Sequence, residues 1–368
     1  MRPADVVIVG AGVIGSAIAY TLACATRLRV VVIERGTPGC EASNAAAGVL
    51  AVASSQARGG ALFDLRRRSA AMYPELVDAL AQETGAALGY QRGGILSLAF
   101  SDGEAVALED LVRHRITQGL RCELLDRTAV IASEPAVSPQ VCAGARFADD
   151  AAIDNVELVG ALVAAASRRG VQFCLGTSAR SISSDQRAVK LTLESDAIQA
   201  ALAVVATGAW SGELLASCGV KIPVRPARGE MAAVRARQWR LHHALYAGDT
   251  CLVARGHHEV LIGSTMAFAG FDKQVTAAGV ADLLARAARV GPSVRGAPVV
   301  RTWAGLRPWS TIRRPIIAPL PGMGNVIIAT GHHRSGIVLA PITAQLVCEM
   351  ITGRRPSVSM RPFSYRRH

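Results

Sequence analysis

The stretch Asp5-Val-Val-Ile-Val-Gly10-Ala-Gly12-Val-Ile-Gly15, together with Arg29-Val-Val-Val-Ile33-Glu34 downstream, decides the fold of this 368-residue chain. The run from Asp5 to Gly10 is short and rich in β-branched residues, which predicts a buried strand. Beyond it the apolar residues Ile14, Ile18 and Leu22 recur at helical spacing. The turn between them needs its glycines: Gly10 for the tight bend, Gly12 so that backbone can approach a pyrophosphate, and Gly15 so that helix packs closely on strand. Phosphates then sit at the positive end of the helix. A second strand over Arg29–Ile33 ends in Glu34, about twenty residues past the glycines, where a carboxylate accepts both ribose hydroxyls of an adenosine. That acid argues against a 2′-phosphate and therefore against NADP. The reading is an α/β, Rossmann-like domain that grips a dinucleotide.

Length and composition set the frame around this unit. The chain suits two domains of roughly 150 to 200 residues each. The apolar stretch Val6–Ala25 is interrupted by Gly10, Gly12, Gly15 and Ser16 and has no basic leader, so it reads as the start of a folded domain, with no membrane span and no signal peptide. Cysteines at 24, 40, 122, 142, 174, 218, 251 and 348 are scattered, with no C-x-x-C pair and no histidine at ligand spacing. Neither a metal site nor a disulfide framework is expected, and a reducing cytoplasm is the default compartment. The net charge of +12 is spread along the chain and carried almost wholly by arginine, with lysine only at 190, 221 and 273. That distribution argues against nucleic acid as the main partner. The clusters Arg66-Arg67-Arg68 and Arg366-Arg367 read as a solvated face and a frayed tail.

The glycine turn alone does not separate NAD from FAD; the rest of the chain does. Arg35 follows the acid. The small residues Ala42-Ser43-Asn44-Ala45-Ala46-Ala47-Gly48-Val49 would let backbone lie flat against a large planar ligand. Ala203-Val-Val-Ala-Thr207-Gly208-Ala-Trp210 and Val326-Ile-Ile-Ala-Thr330-Gly331 each read as a strand running into a glycine turn. The second is followed by His332-His333-Arg334-Ser335-Gly336 and a helix over Ile337–Thr352. These returns predict a discontinuous cofactor domain whose last helix points its positive end at the ligand. That helix dipole, with Arg334, would stabilise negative charge on a reduced flavin.

The blocks Val9-Gly-Ala-Gly-Val-Ile-Gly15, Ala45-Ala-Ala-Gly48, Gly93-Gly-Ile-Leu96, Trp303-Ala-Gly-Leu-Arg307-Pro308 and Gly331-His-His-Arg334-Ser-Gly336-Ile-Val-Leu-Ala-Pro341 are carried in this order and spacing. In them the chain resembles, over nearly its whole length, the glycine oxidase branch of the FAD-dependent D-amino acid oxidase superfamily. The resemblance implies an FAD domain of the hydroxylase type, assigned to residues 1–85, 146–220 and 301–368. It also implies a substrate domain with an antiparallel sheet, assigned to 86–145 and 221–300; the whole is α+β. Strand-like runs at Gly94–Phe100, Glu230–Val234 and Glu259–Gly263, and helical periodicity over Thr276–Ala288, agree with that division. Cofactor contacts are then expected from Gly10, Gly12, Val13, Ile14 and Gly15, from Glu34 and Arg35, and from Ala42, Ser43, Ala47, Gly48 and Val49. Ala179 and the run His332, His333, Arg334, Ser335, Gly336, Ile337, Val338 complete the set.

The implied substrate is glycine, sarcosine or a D-amino acid. Its carboxylate calls for arginine, whose planar fork grips such a group bidentately. Arg307 matches the family's carboxylate-binding arginine, and Arg334 a second arginine of the pocket. The implied reaction is hydride transfer from the substrate Cα to flavin N5, then hydrolysis of the imine to a keto acid and ammonia while dioxygen is reduced to hydrogen peroxide. The positive charge that favours the oxygen step is assigned to His332, His333 and Arg334. Where the family usually has Tyr-Ile-Val-Pro-Arg, this chain has Cys251-Leu-Val-Ala-Arg255, and a thiol replaces a phenol's hydrogen bond poorly. Cys251 is expected to line the pocket. After Pro308 the family's acid is missing, and Ile312-Arg313-Arg314 stands there instead. Since the loop Arg307–Pro319 contains no cysteine, FAD is expected to be non-covalent. The product imine feeds thiamine thiazole synthesis in glycine oxidase relatives, many of which are tetramers, so a homo-oligomer is implied. Competing readings are a D-amino acid dehydrogenase or cyanide-forming subunit with a non-oxygen acceptor, an RNA-modifying flavoprotein domain, and a flavin-binding protein without catalysis.

Overall fold

In the computed structural model, strand Ala4–Val9 is buried almost throughout because its two faces meet two different cores. Val6 and Ile8 pack with Ile18 and Leu22 of helix Val13–Ala25, Leu158 and Leu162 of helix Asn155–Arg168, and Leu339 and Leu346 of helix Gly336–Ile351. Val7 and Val9 meet Ile182, Leu191 and Leu215 on the other side. A strand covered on both faces has no reason to alternate with polar residues, hence the unbroken apolar run read from the sequence. The structure describes residues 4–185, 187–236, 241–256 and 258–365; the pair Arg366-Arg367 lies outside them.

The first sheet places five strands in parallel, in the order Met323–Thr330, Ala197–Val205, Ala4–Val9, Val30–Ile33, Gln172–Cys174. Both predicted returns of the chain therefore lie on one side of the first strand. Ile316–Leu320 adds an antiparallel edge, and Ala179–Ser184 with Val189–Leu193 forms an antiparallel hairpin against Ala197–Val205. The segment His333–Ile351 is long and apolar enough to cross a membrane by length and composition, but 72% of its apolar window is buried inside the fold. Its apolarity serves the core against helix Val13–Ala25.

The second sheet runs Val299–Ser310, Val224–Arg235, Glu259–Gly263, Thr250–Arg255, Ala244–Ala247, Ile95–Ala99, Ala143–Phe147, Cys122–Asp126, and all its pairings are antiparallel except that of Ala244–Ala247 with Ile95–Ala99. Here the alternation is explicit. Ala232, Val234, Leu252 and Ile262 pack on helix Ala277–Val290, while Met231, Val253, Leu261 and Trp303 face Ala47 and Val49 of the first domain. The helix lies where the periodicity over Thr276–Ala288 predicted one, and Thr276 caps it, its hydroxyl accepting from Gly279 N at 3.0 Å.

Two features differ from the sequence expectation. The boundary placed at residue 301 cuts through strand Val299–Ser310, which pairs along its length with Val224–Arg235 and so joins the second sheet. Its alternating residues are half covered by the first domain, which blurs the composition change a boundary would leave. For the same reason the segment after Arg307, read as a loop, begins as strand and turns only past Ser310.

Candidate active site

The glycine turn is built as its chemistry demands. Gly10 has φ +102°, and a Cβ there would lie 2.6 Å from Ala206 O, so only glycine adopts this bend without strain. At Gly15 a Cβ would meet Gly10 O at 1.9 Å and Ile8 next, so this residue allows the helix to close on the turn and the strand. Gly12 is different: a Cβ there meets only Ser43 Oγ, at 3.2 Å, and the residue lines a large cavity. Glu34 takes Ala11 N on one carboxylate oxygen at 2.8 Å and Gly36 N on the other at 2.9 Å. The acid thus ties the second strand to the glycine turn while still facing the cavity.

That cavity, about 480 Å³, runs between the two sheets. One end is walled by Glu34, Arg35 and Ala179, its middle by Gly12, Val13, Ile14, Ala42, Ser43, Ala47, Gly48 and Val49, and the other end by Tyr246, Cys251, Arg307, His332, His333, Arg334, Gly336 and Ile337. Three expected contacts fall outside the wall. Gly15 packs inside the turn, Ser335 turns away so that its Oγ accepts from Arg66 Nη2 at 2.6 Å, and Val338 is buried in the core. Helical direction explains the last two: the residues around Gly336 alternate between cavity and core every few positions.

The small-residue stretch is held from two sides. Ser43 Oγ accepts from Val13 N at 2.9 Å, tying it to the helix N-terminus. Arg255, in the second sheet, donates to Ala47 O at 3.0 Å, Asn155 Oδ1 at 3.0 Å and Ile153 O at 3.2 Å, and pairs with Asp154. Gly48, at φ +76°, has no room for a side chain because Ile153 O would lie 2.0 Å from its Cβ. In the sequence Arg255 stands out only as the end of a motif that departs from the family. Its clamp role has no local signal, since all its partners are more than ninety residues away in the chain.

At the far end, Arg307 is the anchored cation. Its Nη2 donates to Ser264 Oγ at 2.7 Å and its Nη1 to Thr265 O at 3.1 Å. The guanidinium lies against Gly229, whose Cβ, if present, would be 1.9 Å from Nη1. Burial, with Arg334 nearby, pushes its pKa down to about 10, so it stays charged at neutral pH. A desolvated guanidinium with donors to spare has room for an anion and no carboxylate partner among the described residues. Arg334 is looser, with its side chain 46% exposed and its nearest acid, Asp249 Oδ1, at 3.8 Å. Arg66, unassigned by sequence beyond a solvated cluster, is drawn beneath this end; burial and Arg334 lower its pKa.

The histidines do not supply positive charge. Burial holds the pKa of His332 down to about 3, and His332 Nε2 sits 3.1 Å from Thr343 Oγ1. Burial, with Arg307, Arg334 and Arg66 around it, holds His333 at about 4. Both are neutral at pH 7, so the cationic field here belongs to the arginines. This corrects the sequence expectation, which could not see the burial. The sign of the stability effect follows: unfolding releases both rings to bind protons below about pH 6.5, so stability is fully present above that pH and is lost as pH falls toward the folded values. Unfolding free energy measured by denaturant is expected to drop by ~1.4 kcal/mol per pH unit for the fully buried His332 across that window. His332→Asn flattens the slope; an unchanged slope would refute the assignment.

Comparisons with known proteins identify the family of the chain. The family model described as DAO, FAD dependent oxidoreductase, matches residues 5–350. The chain is 34% identical over 369 residues to a glycine oxidase of Geobacillus kaustophilus, spanning 99% of this chain and 97% of that protein. It is 33% identical to the bifunctional protein ThiO/ThiG of Trichormus variabilis, covering 99% of itself and 55% of that longer protein. The crystal structure of glycine oxidase from Geobacillus kaustophilus superposes with TM-score 0.96 over all of both chains at 32% identity. The residues present fit FAD: a helix N-terminus and a side-chain-free Gly12 face the middle of the cavity, and His333 Nε2 is a buried polar atom with no partner among the described residues.

Proposed function

Because the chain belongs to the DAO family of FAD dependent oxidoreductases, we propose that it oxidises a small amino acid such as glycine or sarcosine at the carbon bearing nitrogen. The coarser activity, an FAD-dependent oxidoreductase acting on CH–NH2, is that of its glycine oxidase relatives. The observation that carries the finer reading is Arg307, a buried guanidinium fixed by Ser264 and Thr265 at the cavity end opposite Glu34. When bound, FAD supplies the two-electron acceptor for the substrate's hydride.

The protein's own part is placement. Arg307 binds the carboxylate through the donors that Ser264 and Thr265 leave free, which sets the orientation of the neighbouring Cα. Arg334 at the open side adds charge without being locked in one pose. Neutral His332 and His333 leave the site free of extra cations beyond the arginines, and the arginines' positive field favours the uncharged amine that hydride transfer needs. For glycine the sum is glycine + O2 + H2O → glyoxylate + NH3 + H2O2. The similarity to ThiO/ThiG supports extending this to supply of the imine for thiamine thiazole synthesis, and eight free cysteines among the described residues fit a reducing cytoplasm.

Oxygen uptake and peroxide release with glycine, sarcosine, D-alanine and D-proline test the reading. Stoichiometric peroxide with at least one of them is expected; flavin reduction without peroxide would shift the acceptor to a quinone or another carrier.

A further inference from the structure

We propose that Tyr246 supplies the hydroxyl donor to the substrate carboxylate that Cys251 cannot, so that the binding group has moved one strand along the same sheet face. The inference rests on the reading above, in which Arg307 receives a carboxylate.

The register of the second sheet places Trp303 opposite Met231, Met231 opposite Gly263, Gly263 opposite Cys251, and Cys251 opposite Tyr246. Directly opposed residues in antiparallel pairs share a face, with Cβ atoms about 5 Å apart. The row therefore crosses five strands on the side that faces the cavity, and Met231, Cys251 and Tyr246 all line it. Along that row the side chains shrink toward the centre. Gly263 has none, and Met231 folds over it, with Sδ 2.4 Å from where a Cβ would stand. Cys251 Sγ is 3.3 Å from the same point. A small residue at 251 leaves its neighbour across the strand pair as the large polar group on this part of the wall.

Tyr246 is free to take that part. Among the described residues its hydroxyl has no hydrogen-bond partner. Burial raises its pKa, as does Cys251 beside it, so the phenol stays protonated and acts as a donor. Arg334 and Cys251 are its electrostatic neighbours, and Cys251 in turn feels Arg307. A half-buried phenol on the cavity wall, with Arg334 as its cationic neighbour and its donor uncommitted, is matched by an anion that Arg307 also reaches. The chemical class is a monocarboxylate.

Holoenzyme Tyr246→Phe tests this, because it removes only an oxygen. Titration of the flavin spectrum with glycolate and with acetate reads carboxylate affinity without turnover. A roughly tenfold rise in Kd for both, with FAD content and Tm unchanged, is expected. The double variant Tyr246→Phe with Cys251→Tyr is expected to recover affinity by restoring a phenol on the same face. An unchanged Kd in Tyr246→Phe would overturn the proposal, as would a loss of FAD or Tm that accounts for the weaker binding. Carboxylate binding by a wild-type enzyme that no amino acid reduces would instead overturn the functional reading while leaving this result to stand.

Discussion

Replacing Arg307 by alanine is expected to lower kcat/KM for the amino acid substrate about 1000-fold while leaving FAD bound. Two charge-assisted hydrogen bonds to a carboxylate, each worth about 2 kcal/mol, account for roughly that factor. The prediction is specific because Arg307 holds no structural acid: its donors go to Ser264 Oγ and Thr265 O, and Ser264 itself lines the cavity, so alanine leaves its hydroxyl at a wall rather than in a dry core. Arg307→Lys keeps the charge but loses the planar fork, so an intermediate loss of about 30-fold is expected. Gly229→Ala provides an independent approach. Its Cβ would fall within 2.2 Å of three guanidinium atoms, so the arginine must swing away although it is still present. Gly229→Ala should therefore resemble Arg307→Ala in kcat/KM and the wild type in flavin content. Stopped-flow reduction rates over a substrate series check all three; a Gly229→Ala enzyme with normal affinity would show that the observed pose is not the working one.

The second large effect is at the other end of the cavity. Gly12→Val is expected to yield a folded protein that has lost FAD affinity by about 100-fold or more. At this residue a Cβ meets only Ser43 Oγ, at 3.2 Å, a contact relieved by a shift of a few tenths of an ångström that keeps the bond from Val13 N, and φ is −69°, so the backbone tolerates a side chain. What valine fills is the approach to the helix N-terminus, where backbone N–H groups would hold a pyrophosphate. Gly15→Ala makes the contrast. There the clash is with the carbonyl of Gly10 at 1.9 Å, inside the turn, and the expected result is loss of fold together with flavin. Circular dichroism alongside flavin fluorescence separates the two. If Gly12→Val keeps its flavin, the pyrophosphate is not held at this turn.

Much of this fold is legible because the determining residues are local. Gly10, Gly12, Gly15 and Glu34 lie within one strand-helix-strand unit, so their spacing alone carries the geometry. The returns at Ala203–Thr207 and Val326–Thr330 can be read because a strand buried on both faces leaves an unbroken apolar run. Arg307 and Arg334 are legible only through the resemblance, since an arginine in isolation carries no mark of the pocket it enters. The features that sequence does not disclose are non-local. Arg255 reaches Ala47 and Asn155 across two hundred and one hundred positions, and Ser264 grips Arg307 from forty-three residues away. Tyr246 acquires its place only from strand register, and register is invisible until the sheet is assembled. The charge state of His332 and His333 escapes the sequence for a related reason. Histidines beside an arginine look cationic on paper, and it is burial that makes them neutral.

The most direct test of the central claim is anaerobic mixing of the purified yellow holoenzyme with glycine and sarcosine while the flavin absorption band is followed. One of them is expected to bleach the band, and Arg307→Ala, though equally yellow, is expected to bleach far more slowly at the same concentration. A protein that purifies without flavin and binds none, or a holoenzyme whose band is unmoved by every small amino acid tried, would contradict it.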